Sequence, residues 1–347
     1  MTAFAPHINA IATAVPPHVL HQAEVADRAG RVFTGPGFER LRPVYANAEI
    51  ETRHSCVPIE WYETGHSFAE RNRLYLDNAL ALLEHAARNV LDRAGLDPRE
   101  VDGIVVASTT GIATPSLDAM LVDRLGLRRD VERLPIFGLG CAGGVLGLAR
   151  TAALAKGRPG SHWLFLVVEL CGLTFRSADQ SKSNVVATAL FGDGAAACLV
   201  SADPVGPAVT GWGEHIFEAS LDVMGWDVVD DGLKVVFSRD IPTLTRKEIG
   251  ALVAAFLERE GLALSDIAEF CCHPGGAKVL DALEDVLGVQ RRGLVHSRNV
   301  LRRYGNMSAA TVLFVLAESL AAGGSGRRLL TTMGPGFTAG FLLLEGS

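Results

Sequence analysis

Residues 141–155 form an Ala- and Leu-rich stretch that contains a single charged residue, Arg150. Alanine and leucine are strong helix formers, so the stretch is expected to be helical. A helix that is hydrophobic on every side is stable only where other parts of the protein cover it. The sequence therefore predicts a helix that is buried in the centre of the protein.

Short apolar segments that are typical of strands alternate along the chain with longer segments that have helical periodicity. Strands are predicted at residues 101–108, 163–168, 194–200 and 267–272, and as a pair joined at 334–336 within 328–344. Further helices are predicted at residues 75–94, 246–260 and 308–321. This alternation indicates an α/β architecture. Both halves repeat it, so we expect a division near Asp203-Pro204 into residues 1–205 and 206–347.

The composition excludes several classes of protein. The 347 residues are 48% hydrophobic and 20% charged, which is enough apolar material for a large core and excludes intrinsic disorder. The net charge of -7 argues against nucleic-acid binding. No apolar run is long enough to span a membrane, and residues 1–14 do not resemble a signal peptide. Six cysteines without a disulfide-rich spacing favour a reduced, cytoplasmic location.

Cys141 lies in a glycine-rich turn, residues 137–144, between a predicted strand and the apolar helix. A thiol at a helix N-terminus experiences the positive end of the helix dipole, which favours the thiolate. Free backbone N–H groups at such a turn can also hold an oxyanion. The arrangement suits covalent acyl transfer through a thioester. A small buried residue in a tight turn is an equally good interpretation of this motif alone.

Two further segments carry polar side chains at turns. His273 ends a predicted strand and is followed by Pro-Gly-Gly, and Asn306 follows a glycine just before a predicted helix. Taken singly, His273 is explained by a structural role and Asn306 by a helix N-cap. Together with Cys141 they form a coherent set for thioester chemistry. The histidine stabilises the thiolate and donates to the thioester carbonyl, and the asparagine amide donates to the same oxygen.

The chain resembles the type III polyketide synthases, the chalcone-synthase-like family of the thiolase superfamily. The resemblance covers nearly the whole chain and rests on five motifs in the family's order: Gly-Cys-Ala-Gly-Gly at 140–144, Leu-Phe-Gly-Asp-Gly-Ala-Ala at 190–196, His-Pro-Gly-Gly at 273–276, Tyr-Gly-Asn-Met-Ser at 304–308 and Gly-Pro-Gly at 334–336. It implies a thiolase-like, five-layered αβαβα fold built from two similar halves, and a homodimer. It implies that Cys141 is the nucleophile, that His273 and Asn306 bind the thioester carbonyl, and that Phe191 is a gatekeeper between the CoA tunnel and the cavity.

The resemblance further implies iterative decarboxylative condensation of malonyl-CoA onto an acyl-CoA starter, with cyclisation to a pyrone or resorcinol-type product. It implies no metal and no bound cofactor. It also places substrate-binding residues along the cavity: Thr110, Cys171, Thr174, Val235, Phe237, Ser308 and Met333. Plant enzymes often have threonine at the position of Cys171. Bacterial relatives that accept long acyl starters resemble this chain in having cysteine there. Arg40, Arg42 and Arg53 are candidates for binding the CoA phosphates, although each is equally well explained as part of a solvated charged segment.

Three alternatives remain open. A single-round ketoacyl-carrier-protein synthase III shares the Cys, His and Asn, but typically reads His-Gln-Ala-Asn where this chain reads His-Pro-Gly-Gly. A 3-hydroxy-3-methylglutaryl synthase needs a glutamate near the cysteine, and no motif here indicates one. A catalytically silent binding protein of the same fold is disfavoured by the intact Cys141, His273 and Asn306.

Overall fold

A computed structural model describes residues 5–35, 37–238 and 240–346 of the chain, so the interpretation of residues 1–14 lies partly outside the described residues. The α-helices are α1 (Gln22–Val32), α2 (Phe38–Leu41), α3 (Pro43–Asn47), α4 (Phe68–Ala94), α5 (Leu117–Leu125), α6 (Gly143–Gly157), α7 (Lys182–Leu190), α8 (Ile241–Leu244), α9 (Gly250–Arg259), α10 (Ala277–Leu287), α11 (Val295–Tyr304) and α12 (Thr311–Ala322). The β-strands are β1 (His7–Ala14), β2 (His18–His21), β3 (Thr52–Ser55), β4 (Gly103–Ala107), β5 (Glu132–Ile136), β6 (Trp163–Leu170), β7 (Asp193–Ser201), β8 (Ala208–Ile216), β9 (Met224–Val229), β10 (Gly232–Phe237), β11 (Ile267–Cys272), β12 (Arg327–Gly334) and β13 (Thr338–Glu345).

The main sheet has nine strands in the order β11-β12-β13-β8-β1-β7-β6-β4-β5. It consists of one part from each half of the chain. The two parts meet at β1 and β8, whose pairing is limited to His7 with Ala208. Two small antiparallel ribbons, β2 with β3 and β9 with β10, lie outside the main sheet.

Successive residues of the central strands belong to different layers, because side chains alternate between the faces of a sheet. Ile104 of β4 packs in a cluster with α4, whereas Val105 packs in a cluster with α6 and α12. In the second half, Leu330 of β12 joins the α6 and α12 cluster, and Leu329 packs with α9 and α10. The layers are therefore helix, sheet, central helices, sheet and helix. This confirms the predicted five-layered fold.

The central helix is confirmed in position and character. Val145, Leu148 and Ala152 of α6 are fully buried, and Arg150 reaches outward to pair with Glu214 of β8 at 2.8 Å. The other predicted strands and helices are also present, with end points that differ by a few residues or, for α4, by more. The predicted helices at 141–155, 246–260 and 308–321 each begin with a turn that is not α-helical. Two start as 3-10 turns, and one starts as the π-helical turn Thr245–Ile249.

All six cysteines are buried and none is in a disulfide. Among the described residues, no helix is both long and apolar enough to cross a membrane.

Close packing of α6 against the start of α12 depends on a glycine. A Cβ atom on Gly144 would lie 2.2 Å from the carbonyl oxygen of Ala309, whereas one on Gly157, at the end of the same helix, would meet nothing within 4 Å. We expect Gly144→Ala to destabilise the protein by about 1–3 kcal/mol or more, because backbone must move to admit the methyl group. Gly157→Ala should leave stability unchanged or raise it slightly, since alanine is the better helix former. Melting temperatures of both variants check this, and equal values would contradict the packing.

Candidate active site

Cys141 is held in a turn that only glycine-rich sequence can form. It lies in the 3-10 turn Gly140–Ala142 that leads into α6. Gly140 has φ +46, and a Cβ atom there would lie 2.5 Å from Cδ of Pro335. The backbone N–H of Gly140 donates to Thr109 Oγ1 at 3.1 Å, and Thr332 Oγ1 donates to the carbonyl of Cys141 at 2.8 Å. The turn is thus fixed by contacts from both halves of the chain.

His273 follows β11 directly, and its backbone N–H extends the strand by donating to the carbonyl of Thr331 at 2.8 Å. The residue is 4% exposed, and neither ring nitrogen has a hydrogen-bond partner among the described residues. Burial lowers the pKa of His273 to about 3, so the imidazole is neutral. A neutral imidazole keeps one N–H to donate and one nitrogen to accept.

Asn306 is oriented by hydrogen bonds on every side. Its backbone N–H donates to the carbonyl of Leu190 at 2.8 Å, and its carbonyl accepts from Gly192 at 3.0 Å. Oδ1 accepts from the backbone N–H of Ser308 at 2.8 Å, while Nδ2 donates weakly to the carbonyl of Gly275 at 3.4 Å. The amide therefore holds the turn before α12, but Asn306 is not the N-cap, which is Met307. The amide also directs its N–H groups toward the His273 turn.

The thiol of Cys141 lies among groups from both halves. Hydrogen bonds from Ser308 and Asn306 lower its pKa, but burial and the nearby Glu169 outweigh them and raise the pKa to about 12. The expectation that the helix N-terminus favours a thiolate is therefore wrong for the free protein, because the thiol is removed from water. Cys141 and His273 are both neutral, so ionisation of the thiol requires a proton acceptor in the site.

Glu169 was not identified from the sequence, in which no motif indicates a glutamate near the cysteine, and the structure places it near Cys141. It ends the buried strand β6 and is completely buried. Its Oε2 accepts from the Thr109 backbone at 3.0 Å and from Thr110 Oγ1 at 2.8 Å. Burial raises its pKa to about 8, so it is protonated at neutral pH. Glu169 is the only charged residue in the otherwise apolar strand β6, and this feature of the sequence could have identified it.

A cavity that is partly open to solvent lies beside Cys171 and Phe191. Four predicted substrate-binding residues line it: Cys171, Thr174, Phe191 and Val235. The opposite wall comes from α1, through Val25, Ala29 and Val32, and was not anticipated. Most of the lining is apolar.

Other predicted substrate-binding residues lie elsewhere. Met333 packs in the outer core of the second half, and Thr245 Oγ1 donates to its sulfur at 3.4 Å. Its neighbour Thr332 faces Cys141, so strand alternation turns Met333 away. Phe237 packs against the same outer core rather than along the cavity. Thr110 lines a smaller space beside Thr174, and Ser308 contacts the thiol.

The three arginines have different environments. Arg40 and Arg42 are exposed, and Arg42 pairs with Asp27 at 3.3 Å. Arg53 is 2% exposed, so the interpretation as a phosphate ligand is wrong. Its Nη1 donates to the carbonyls of Thr188 at 2.6 Å and Phe191 at 3.0 Å, and its Nη2 donates to Gln22. Its hydrogen bonds to the end of α7 hold the backbone of Phe191 in place.

A cysteine at a helix start, a neutral histidine and an oriented amide, set in a five-layered αβαβα fold, define a condensing enzyme of the thiolase-like class. The family model for the N-terminal domain of chalcone and stilbene synthases matches residues 4–204, and the C-terminal domain model matches residues 214–346. The chain therefore belongs to the chalcone and stilbene synthase family, the type III polyketide synthases. It is an acyltransferase that forms carbon–carbon bonds by iterative condensation of malonyl-CoA, and the family needs no cofactor beyond its CoA thioester substrates.

Several relatives cover almost the whole chain. A Bacillus subtilis (strain 168) protein, provisionally named a chalcone synthase, is 38% identical over 97% of this chain and 98% of its own length. The 1,3,6,8-tetrahydroxynaphthalene synthase of Streptomyces peucetius subsp. caesius is 39% identical over 97% and 92%. An alpha-pyrone synthesis polyketide synthase-like protein of Mycobacterium tuberculosis (strain ATCC 25618 / H37Rv) is 28% identical over 97% and 90%. The crystal structure of 1,3,6,8-tetrahydroxynaphthalene synthase from Streptomyces coelicolor A3(2) superposes with a TM-score of 0.94 at 28% identity, covering 98% of this chain and 99% of that one.

Protonation of Glu169 should make stability depend on pH. Its pKa is raised from 4.5 to about 8, so the folded protein keeps a proton that the unfolded chain loses, and stability falls as pH rises across that range. Glu169→Gln is neutral throughout, so the melting temperature of the wild type minus that of the variant should fall between about pH 4.5 and about pH 8. Asp193 and the other buried carboxyls are present in both proteins and cancel. A constant difference, or one that grows with pH, would contradict the assignment.

Proposed function

We propose that this type III polyketide synthase takes a medium- or long-chain acyl-CoA as its starter and releases an alkylated pyrone or resorcinol-type product. The observation that carries this proposal is the apolar cavity beside Cys171. Apolar side chains form most of its lining, and α1 contributes the aliphatic side chains of Val25, Ala29 and Val32. Each methylene of a tail that is buried there contributes about 0.8 kcal/mol to binding.

Cys141 accepts the starter in the first step. Its sulfur attacks the acyl-CoA carbonyl, the bond to the CoA sulfur breaks, and His273 takes the thiol proton and returns it to the leaving CoA thiolate. Both groups are neutral in the free protein and their pKa values oppose a resting ion pair, so the proton has to move as the sulfur attacks the carbonyl.

Extension uses the same groups in a second role. Malonyl-CoA loses carbon dioxide, and its electron pair forms an enolate whose oxygen accepts hydrogen bonds from His273 and from Nδ2 of Asn306. The enolate carbon then attacks the carbonyl carbon of the Cys141 thioester, the bond to the Cys141 sulfur breaks and leaves a thiolate, and the extended chain stays on the CoA of the malonyl unit. Phe191 supplies an apolar wall that keeps water from protonating the enolate, and buried Arg53 holds its backbone.

The CoA moiety binds outside the cavity. We assign its phosphates to Arg40 and Arg42, which are exposed and positively charged. The nucleophile comes from residues 1–205, and both carbonyl-binding groups come from residues 206–347. The enzyme functions in the cytoplasm, where its cysteines stay reduced.

A homodimer is the assembly that the exposed apolar residues favour. Phe137 is 62% exposed and Ile112 is 49% exposed. They follow the neighbouring parallel strands β5 and β4, so both lie at the same edge of the sheet, close to the Cys141 turn. A second copy that covers this edge removes both side chains from water.

A second candidate product is 1,3,6,8-tetrahydroxynaphthalene, which has no alkyl tail. The 39% identity to the Streptomyces peucetius synthase favours it. Incubation with malonyl-CoA alone, and then with straight-chain acyl-CoAs from acetyl to octadecanoyl, separates the candidates by product mass. Alkylated products whose mass increases with the length of the starter's tail support our proposal. A tetrahydroxynaphthalene that forms from malonyl-CoA alone and is unaffected by acyl-CoAs would contradict it.

Replacement of the nucleophile should separate the two steps. Cys141→Ala should abolish chain extension, because no covalent intermediate can form, while malonyl-CoA decarboxylation persists at His273 and Asn306. His273→Gln should reduce both activities by about 10²-fold or more. Release of carbon dioxide and product mass are measured on the same samples. Chain extension by Cys141→Ala would remove that residue from its assigned role.

A bulky residue at position 171 should shorten the accepted starters. Cys171→Phe places a ring where the proposal places alkyl carbons, so kcat/KM should fall steeply for long tails and little for short ones. Overpacking of a core without a cavity costs about 1–3 kcal/mol of stability and would depress all starters alike. The measurement is kcat/KM across the acyl-CoA series, with the melting temperature as control. A uniform loss with a lower melting temperature would show that Cys171 is structural.

A further inference from the structure

The cavity beside Cys171 ends at a group of charged side chains. Its inner end is formed by Cys171, which is 3% exposed. Arg28 of α1 and Glu63 of the 3-10 helix Ile59–Glu63 also line it, and their side chains are 22% and 31% exposed. Arg28 and Glu63 therefore place an ion pair, close to the surface, in the wall of an otherwise mostly apolar cavity.

Arg28 has an unusual position for a charged residue. It lies three residues after Val25 and four before Val32, so it belongs to the face of α1 that lines the cavity. Its aliphatic stem can continue the apolar wall while its guanidinium reaches toward water. The helix is anchored at its start by Gln22, whose Nε2 donates to the carbonyls of Tyr45 and Ala189 at 3.0 Å.

Three carboxylates surround this guanidinium. Nη1 lies 2.9 Å from Glu63, Nη2 lies 2.7 Å from Glu60, and Nε donates to Glu24 at 3.1 Å. Glu60 and Glu63 belong to the 3-10 helix, so these contacts join it to α1 across the end of the cavity. We refer to Arg28, Glu24, Glu60 and Glu63 as the Arg28 cluster.

We propose that the Arg28 cluster closes the alkyl cavity and sets the longest starter that the enzyme accepts. This inference rests on the proposed alkyl-CoA starter. A tail that fits gains about fourfold in binding for each methylene that it buries. A longer tail has to push its terminal methyl group between paired charges, which separates them and removes them from water. The value of kcat/KM should therefore rise with the length of the acyl tail and then fall for tails that are long enough to reach the Arg28 cluster.

The test compares wild type, Glu63→Gln and Arg28→Met across saturated acyl-CoAs from hexanoyl to octadecanoyl, with malonyl-CoA as extender. Glu63→Gln removes one charge of the cluster at constant side-chain size, and Arg28→Met removes the guanidinium and leaves a shorter apolar side chain. The matched control is Glu84→Gln, which breaks a similar ion pair on α4 with Arg88 and Arg124, at residues that do not line the cavity. The readout is the ratio of kcat/KM for a long starter to that for hexanoyl-CoA, with melting temperatures recorded alongside.

In Glu63→Gln and Arg28→Met, the preferred starter should become longer by two or more carbons. The ratio for starters beyond the wild-type limit should rise about tenfold or more, as expected for two additional buried methylenes. Glu84→Gln should follow the wild type.

Three different results would overturn the inference. If the wild type prefers long starters and folded Glu63→Gln and Arg28→Met keep its profile, the cluster does not limit length, and the proposed function stands. If the wild type uses no alkyl starter, the proposed function fails and the inference fails with it. An equal shift in Glu84→Gln would also overturn it, since the effect would then be unrelated to the cavity.

Discussion

The contact between the Cys141 turn and the first turn of α12 organises this protein. At Gly144 the carbonyl of Ala309 occupies the space in which any side chain would lie, so the two central helices meet backbone to backbone. Gly140 meets Pro335 of the β12–β13 loop in the same way. These contacts bring Cys141 of the first half against Asn306 and Ser308 of the second. The five layers are the structure that this contact requires, because two apolar helices in the centre need a sheet on either side.

Burial then determines the chemistry that the site can perform. It raises the pKa of the thiol, lowers that of the imidazole and raises that of Glu169, so every titratable group around the sulfur is neutral near pH 7. A neutral site in an apolar surrounding can transfer protons internally and can hold an enolate away from water. The same burial that opposes a resting thiolate therefore protects the intermediates of carbon–carbon bond formation.

Sequence reasoning succeeded where local pattern decides the outcome. Strand and helix periodicity predicted the layers, and turn residues singled out Cys141, His273 and Asn306 for the proposed site. It failed where tertiary packing decides which way a side chain points. The sequence marks Arg53 and Met333 only as a basic residue and a flexible apolar one, whereas the fold turns Arg53 inward to bind carbonyls and Met333 away from Cys141. Glu169 and the α1 wall reach the site from elsewhere in the chain, and no local motif contains that information.

The central claim is that one buried thiol among six carries the growing chain. Incubation of the enzyme with decanoyl-CoA, without malonyl-CoA, followed by intact-protein and peptide mass spectrometry, tests it directly. The account predicts one decanoyl group per chain, on the peptide that contains Cys141, with Cys171 and the other buried cysteines unmodified. An acyl group on a different cysteine, or no covalent adduct in an enzyme that still forms product, would contradict it.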